Sequence, residues 1–223
     1  KAGLDGGPGD PAGYSSPAML TVGGSRQLVV FNGRAAMGID PADGSLLWRY
    51  DYVTDYDCNI ATPLAFKGSV FLSAGENHGA TMLSLAKRGD TFQANPGWES
   101  LGPGSTMRNE WQTSILLGGH LYGFDNVGGA GPISHLTCIE AGTGKRIWQQ
   151  VRFGKGNMIA ADGKLFMTTV KGDLVIVKAS PEGFKELGRQ QVLETTRQAP
   201  SLAAGLLYVR DNNHIICLDV RKP

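Results

Sequence analysis

Residues 39–48 read IDPADGSLLW and residues 139–148 read IEAGTGKRIW. An acid, a glycine and a tryptophan recur with spacings of four and four: Asp40, Gly44 and Trp48, then Glu140, Gly144 and Trp148. Each position has a physical reading. A carboxylate that opens a turn can accept backbone amides. Glycine takes a positive φ that other residues resist. A tryptophan on the returning strand can cover the gap to a neighbouring unit.

Longer repeats surround these two turns. SPAMLTVGGSRQLVVFN, TPLAFKGSVFLSA, TSILLGGHLYGFD, GNMIAADGKLFMTT and APSLAAGLLYVRD each carry two apolar runs across a glycine-containing turn. Taken from Pro17, Pro63, Ser114, Met158 and Pro200, the repeats start 46, 51, 44 and 42 residues apart. In the last four, Phe71, Tyr122, Phe166 and Tyr208 fall eight residues after the start. A third apolar run follows each hairpin, and a fourth segment follows in all but the last. The runs are short and bounded by Gly, Asp, Asn or Pro, which marks strands. No stretch holds a 3.6-residue apolar period over three turns. Only residues 181–183, Pro-Glu-Gly, allow a helical turn, and a β-turn fits them equally well.

Four antiparallel strands in each repeat of about 40–50 residues predict an all-β fold, a β-propeller of stacked blades. A lone blade exposes both sheet faces, so each depends on its neighbours. Four complete blades and a partial fifth are expected within one domain, residues 14–223, preceded by a flexible segment, residues 1–13. That segment, KAGLDGGPGDPAG, is too rich in glycine and proline to make a good strand. Trp48 lies in a terminal blade, so its truncation is expected to cost less than that of Trp148.

Composition narrows the function. The chain has 223 residues, 21 Lys and Arg against 20 Asp and Glu, and a net charge of +1. There is no basic excess to hold nucleic acid. No apolar run reaches the 18 or so residues of a membrane-spanning helix. The three cysteines include no CxxC, and no two His have ligand spacing, so no metal site is expected. Cys138 and Cys217 read as small hydrophobes inside strands, and Cys58 lies in a polar loop.

The ten-residue pattern resembles the tryptophan-docking motif of PQQ-like propellers. That superfamily contains quinoprotein alcohol dehydrogenases and the BamB-like assembly proteins. GYSSPAM and GKGNMIAADGKLF are also similar to this group. The motif decays elsewhere: Leu85 and Lys178 stand at the acid position and Leu187 at that of the tryptophan. The resemblance implies a seven- or eight-bladed ring of which this chain would form part; a self-associating half-propeller, favoured by exposed blade faces and a sheet edge, and a compact five-bladed ring are the alternatives. It also implies a bacterial secreted or periplasmic protein. Its leading function would be a non-catalytic scaffold that holds a protein, peptide or glycan partner on one face. The alternative is a PQQ-dependent sugar or alcohol dehydrogenase. The cofactors PQQ and Ca²⁺ would then need a stacking Trp, an Asp base and Glu, Asn and Asp ligands. The adjacent cysteine pair that flanks the quinone in many such enzymes is absent.

In a propeller of this kind, ligands lie over the central channel. Two sets of loops build that face: those entering the innermost strand and those joining the second and third strands. The first set comprises residues 52–59, 106–111, 153–157 and 195–198; the second, residues 32–34, 75–79, 125–131, 171–172 and 211–213. They concentrate polar chemistry in Arg34, Glu76, His78, Arg108, Asn109, Glu110, Trp111, Lys155, Lys171 and Arg197, with Asp125 and Asp211 alongside. Trp111 offers a flat surface to an anionic or hydroxylated ligand. Glu76 and His78 are also the one candidate acid/base pair.

Overall fold

The computed structural model describes residues 13–129 and 131–221, and they contain strands and turns but no helix. The expected N-terminal segment lies outside the described residues except for Gly13. The first blade is β1 (Ala18–Val22), β2 (Ser25–Phe31), β3 (Ala35–Ile39) and β4 (Leu46–Asp51). The second is β5 (Leu64–Phe66), β6 (Ser69–Ala74), β7 (Gly79–Arg88) and β8 (Thr91–Leu101). The third is β9 (Ile115–Leu117), β10 (His120–Asn126), β11 (Ser134–Glu140) and β12 (Arg146–Gln150). The fourth is β13 (Gly156–Ala161), β14 (Lys164–Thr169), β15 (Asp173–Lys178) and β16 (Glu186–Gln191). The fifth holds β17 (Ser201–Ala203), β18 (Leu206–Arg210) and β19 (Ile215–Asp219). In every sheet consecutive strands pair, antiparallel, in chain order. This gives four four-stranded blades and a three-stranded fifth.

Strand alternation explains the stacking. In β6, Val70, Leu72 and Ala74 join Val22, Val29, Phe31 and Trp48 of the first blade. Phe71, on the opposite face, joins Leu121 and Ile139 of the third blade. Tyr122, Leu136 and Cys138 then pack on Met158, Leu165 and Val175 of the fourth. Phe166 and Leu174 pack on Leu207 and Val209 of the fifth. A period of two therefore buries both faces of each inner strand and makes four separate apolar layers, one per interface.

The same irregularity recurs where the third and fourth strands pair. The register slips between Gly38 and Ile39, Met82 and Leu83, Cys138 and Ile139, and Ile176 and Val177. Just before the slip, Gly38 faces Trp48, Met82 faces Trp98, Cys138 faces Trp148 and Ile176 faces Gly188. The expected assignments move accordingly. Trp98 is the second blade's outer-strand tryptophan. Gly188, and not Leu187, takes that place in the fourth. The acid position, two residues after Gly38, Cys138 and Ile176 in the other blades, is held in the second by Ser84 rather than Leu85.

The first of the two turns has the expected carboxylate-to-amide bond and the second replaces it with a side-chain contact. Gly44 N and Gly144 N each donate to the acid's carbonyl at 2.9 Å, with φ of 79° and 71°. Asp40 Oδ1 accepts Ala42 N at 2.8 Å, whereas the longer Glu140 reaches the Thr143 hydroxyl at 2.6 Å. Gly144 has a second duty. A Cβ there would lie 2.6 Å from the Trp98 ring, so the tryptophan of one blade rests on the glycine turn of the next. Trp98 Nε1 donates to Ala141 O at 2.9 Å, and Trp148 Nε1 donates to Ser180 O in the fourth blade at 2.8 Å. Trp48 differs. Its Nε1 donates to Gln27 Oε1 of its own blade at 2.7 Å while its ring joins the first interface.

Two sequence expectations change here. Trp48 is 3% exposed, whereas Trp148 is only partly buried, so the terminal position does not bare Trp48. The long β7–β8 hairpin reaches over this interface with Leu85, Phe92 and Ala94. Cys138 is buried as expected, but Cys217 is exposed. Both face the aromatic of the second strand, Tyr122 and Tyr208. Over Cys217, however, no fourth strand lies among the described residues.

Candidate functional site

The turns between second and third strands are fixed by their own polar side chains. Asn32 Oδ1 accepts Arg34 N at 2.9 Å and Ala35 N at 2.7 Å. Asp211 Oδ1 accepts Asn213 N and His214 N at 2.8 and 2.7 Å. Glu194 N on Oδ2 first, and then these amides, hold the Asp211 carboxyl down at about 2. The Arg108–Trp111 segment is anchored differently. Arg108 Nε and Nη2 donate to Asp125 at 2.7 and 3.0 Å, and Asp125 is fully buried. Asn109 Nδ2 donates to Phe124 O at 3.1 Å, and Ser114 donates to Asn109 Oδ1 at 2.7 Å. Arg108 and Asn109 are thus turned into the blade and clamp the loop, while Glu110 and Trp111 continue past them to the open face.

There a cavity of about 530 Å³ opens, lined by Cys58, Ile60, Glu76, Glu110, Trp111, Pro132, Lys155 and Arg197. Six connections supply these side chains, so all five blades contribute through their loops. Lys155 forms an ion pair with Glu110; their side chains are 12% and 9% exposed. Lys155 Nζ lies 4.5 Å from the Trp111 ring centroid and the Arg197 guanidinium 4.3 Å from it. Cations over an indole face are attracted by its quadrupole, by about 0.5–1 kcal/mol each when exposed. Trp111 is therefore held in place by charge as well as by packing.

Glu76 sits on a four-residue turn, with His78 N donating to Gly75 O at 2.8 Å. Glu76 and Asn77 have φ of 50° and 58°, the left-handed pair that a tight hairpin demands. A glutamate there costs about 1 kcal/mol of backbone strain. Its Oε2 is buried with no hydrogen-bond partner. Burial first, then the Glu110 charge, push its pKa up, and Lys155 opposes them. Strain and an orphaned oxygen at one residue point toward function.

A second cavity of about 500 Å³ shares Trp111, Pro132 and Lys155 with the first and continues over Arg152, Phe153, Lys171, Asp173 and Arg189. The structure thus gathers Glu76, Glu110, Trp111, Lys155, Lys171 and Arg197 around one ridge. It does not bring in Arg34, which pairs with Asp57 at 3.1 Å. Nor does it bring in His78, whose ring packs 4.3 Å from that of Tyr52 and whose pKa is lowered by burial. No hydrogen bond joins His78 to Glu76. Ile60, Pro132, Arg152 and Arg189 lie outside the expected loops, whereas Cys58 and Phe153 belong to those loops without having been singled out. Arg152, next to the 153–157 loop, carried the plainest signal.

The sequence profile of the family described as outer membrane protein assembly factor BamB matches residues 5–150 and 132–222. No curated protein sequence matches the chain significantly. Among solved structures, BamB from Moraxella catarrhalis is similar at 13% identity, with 86% of this chain and 68% of that one covered and a TM-score of 0.48. The quinohemoprotein alcohol dehydrogenase of Comamonas testosteroni is similar at 14% identity, with 94% of this chain covered and a TM-score of 0.68. Quinohemoprotein alcohol dehydrogenase ADHIIG of Pseudomonas putida HK5 gives 14%, 94% and 0.66. The chain spans 42% and 40% of those two enzymes' lengths, and the likeness is one of fold. With the family profile matched over most of its length and the blades built as described, the chain belongs to the PQQ-like repeat propellers described as outer membrane protein assembly factor BamB.

Proposed function

We propose that the chain is a non-catalytic binding scaffold, secreted or periplasmic, which holds a protein, peptide or glycan partner on the face built by its loops. The observation that carries this reading is Trp111. It stands between two cavities, braced by Lys155 and Arg197, and the flanking residues Arg108 and Asn109 fix its loop to Asp125 and Phe124. An aromatic ridge with satisfied polar supports and free polar groups on either side is the form of a recognition surface. The name of the matched family, an assembly factor, agrees with it.

The dehydrogenase reading finds less support in these residues. Ca²⁺ takes about 6–8 oxygen ligands. Glu110 is already held by Lys155, and no three of His, Cys, Asp and Glu converge among the described residues. The donor set around Trp111 does not fit a resident Ca²⁺. The acid/base reading of Glu76 with His78 is likewise unsupported by geometry, since His78 lines neither cavity.

The test is binding of the intact chain to peptide and glycan arrays, wild type against Trp111→Ala. At least one bound species should weaken about tenfold or more in the variant, as for an aromatic anchor. Binding that Trp111→Ala leaves unchanged would sink the proposal. So would a stoichiometric complex in an absorbance titration with PQQ and Ca²⁺, followed by dye reduction on adding an alcohol.

A further inference from the structure

The two cavities that share Trp111 make opposite demands. The second is lined by four cations, Arg152, Lys155, Lys171 and Arg189, against one carboxylate, Asp173. That carboxylate is already engaged by the Thr169 hydroxyl at 3.0 Å and by Arg189 at 3.4 Å. Arg189 also holds Glu186 at 2.9 Å, and Lys155 holds Glu110. Among the described residues, Arg152 and Lys171 have no carboxylate partner. Apolar walls from Phe153, Val170 and Trp111 lower the local dielectric and strengthen the pull on an anion. Across the ridge the demand reverses. Glu76 Oε2, buried and unpartnered, is an acceptor that lacks a donor.

We infer that the site takes an acidic peptide segment laid across Trp111, with a carboxylate side chain among Arg152, Lys155 and Lys171 and a backbone N–H presented to Glu76. A peptide meets both demands with one chain. Its amides supply donors at every residue, and an aspartate or glutamate one or two residues along supplies the anion. A lone small anion would answer only the second cavity. This inference rests on the scaffold reading and names the chemistry of its partner.

The experiment is fluorescence anisotropy with the full chain and two probes. One is a fluorescein-labelled heptapeptide with two central aspartates; the other is the same peptide with two asparagines. The acidic probe should bind, and the asparagine probe should bind at least tenfold more weakly. Lys171→Glu should weaken the acidic probe about tenfold, and raising salt from 50 to 300 mM should do likewise. Glu76→Gln should weaken both probes by a similar smaller factor. Lys171 is exposed, so its substitution does not threaten the fold, and an unchanged melting temperature of Lys171→Glu checks this. Equal affinity for the two probes, or indifference to Lys171→Glu, overturns the inference. Complete displacement of the acidic probe by millimolar inorganic phosphate also overturns it, since the site would then recognise a free anion. If array ligands bind in a Trp111-dependent way while the acidic probe does not, the scaffold reading survives and this inference alone falls.

Discussion

At the scale of single residues, Glu76 carries the clearest physical tension in the molecule. Its backbone is left-handed, its Oε2 lacks a partner, and burial with the Glu110 charge raises its pKa. A carboxyl whose folded pKa lies above its unfolded value favours proton uptake by the folded state. Its cost is absent below the unfolded value, near ~4.3, and grows as pH rises through the folded one. Glu76→Gln should therefore raise stability at pH 7 by a fraction of about 1 kcal/mol, since solvent screens part of the carboxylate's charge. The gain should vanish near pH 3.5. Melting curves of both proteins at the two pH values check this, and a gain of equal size at both would show that charge is not its cause. Sequence placed Glu76, Glu110, Trp111, Lys155, Lys171 and Arg197 in loops, as the structure also has them, because turn residues name themselves. It did not separate them from Arg108 and Asn109. The Asp125 that receives Arg108 is 17 positions away in β10, and only folding reveals which way an arginine in a loop turns.

Among elements, the blade-to-blade contacts set the energetics. Trp48 is nearly fully buried and its indole N–H is matched by Gln27, so Trp48→Ala should cost about 3–5 kcal/mol. Trp148 keeps part of its ring in solvent, so Trp148→Ala should cost about 2–3 kcal/mol, from lost area and one hydrogen bond. Urea midpoints of the two variants give the order, and a larger loss for Trp148 would contradict it. At the turn on which Trp98 rests, Gly144→Ala should cost about 2–4 kcal/mol, combining a positive φ with a crowded Cβ. A thermal melt shifted by less than a degree would mean that the contact is dispensable. Four-strand repeats were legible because apolar alternation and glycine turns are local. Trp98 was missed because its hairpin continues to Arg88 and Thr91, so a motif measured from the turn lands in the wrong place. Measured from the register slip, with Gly97 beside the slip, the tryptophan falls into line with Trp48 and Trp148.

At the scale of the molecule, the five blades share no common core among the described residues; each apolar layer joins two neighbours only. Stability is then a chain of nearest-neighbour terms. The cysteines report on it. Cys138 is sealed in the third interface, with its thiol pushed up to about 11 by burial, while Cys217 is open to solvent. Alkylation under native conditions should modify Cys217 within minutes and leave Cys138 at least a hundredfold slower. Peptide mass spectrometry of a time course checks this; equal rates would mean that the third and fourth blades part freely. Sequence could read how many blades there are, but not that Cys217 would be bare. That depends on what covers a strand rather than on the strand itself. The same construction bears on the cavity beside Trp111. Its walls come from loops of every blade, while each blade is tied only to the next. Small tilts at successive seams therefore add up at its rim, as the play in each rib of a fan adds up at the outer edge. The aperture is a gauge of the angle between blades, and a partner that fills it would lock seams that it never touches.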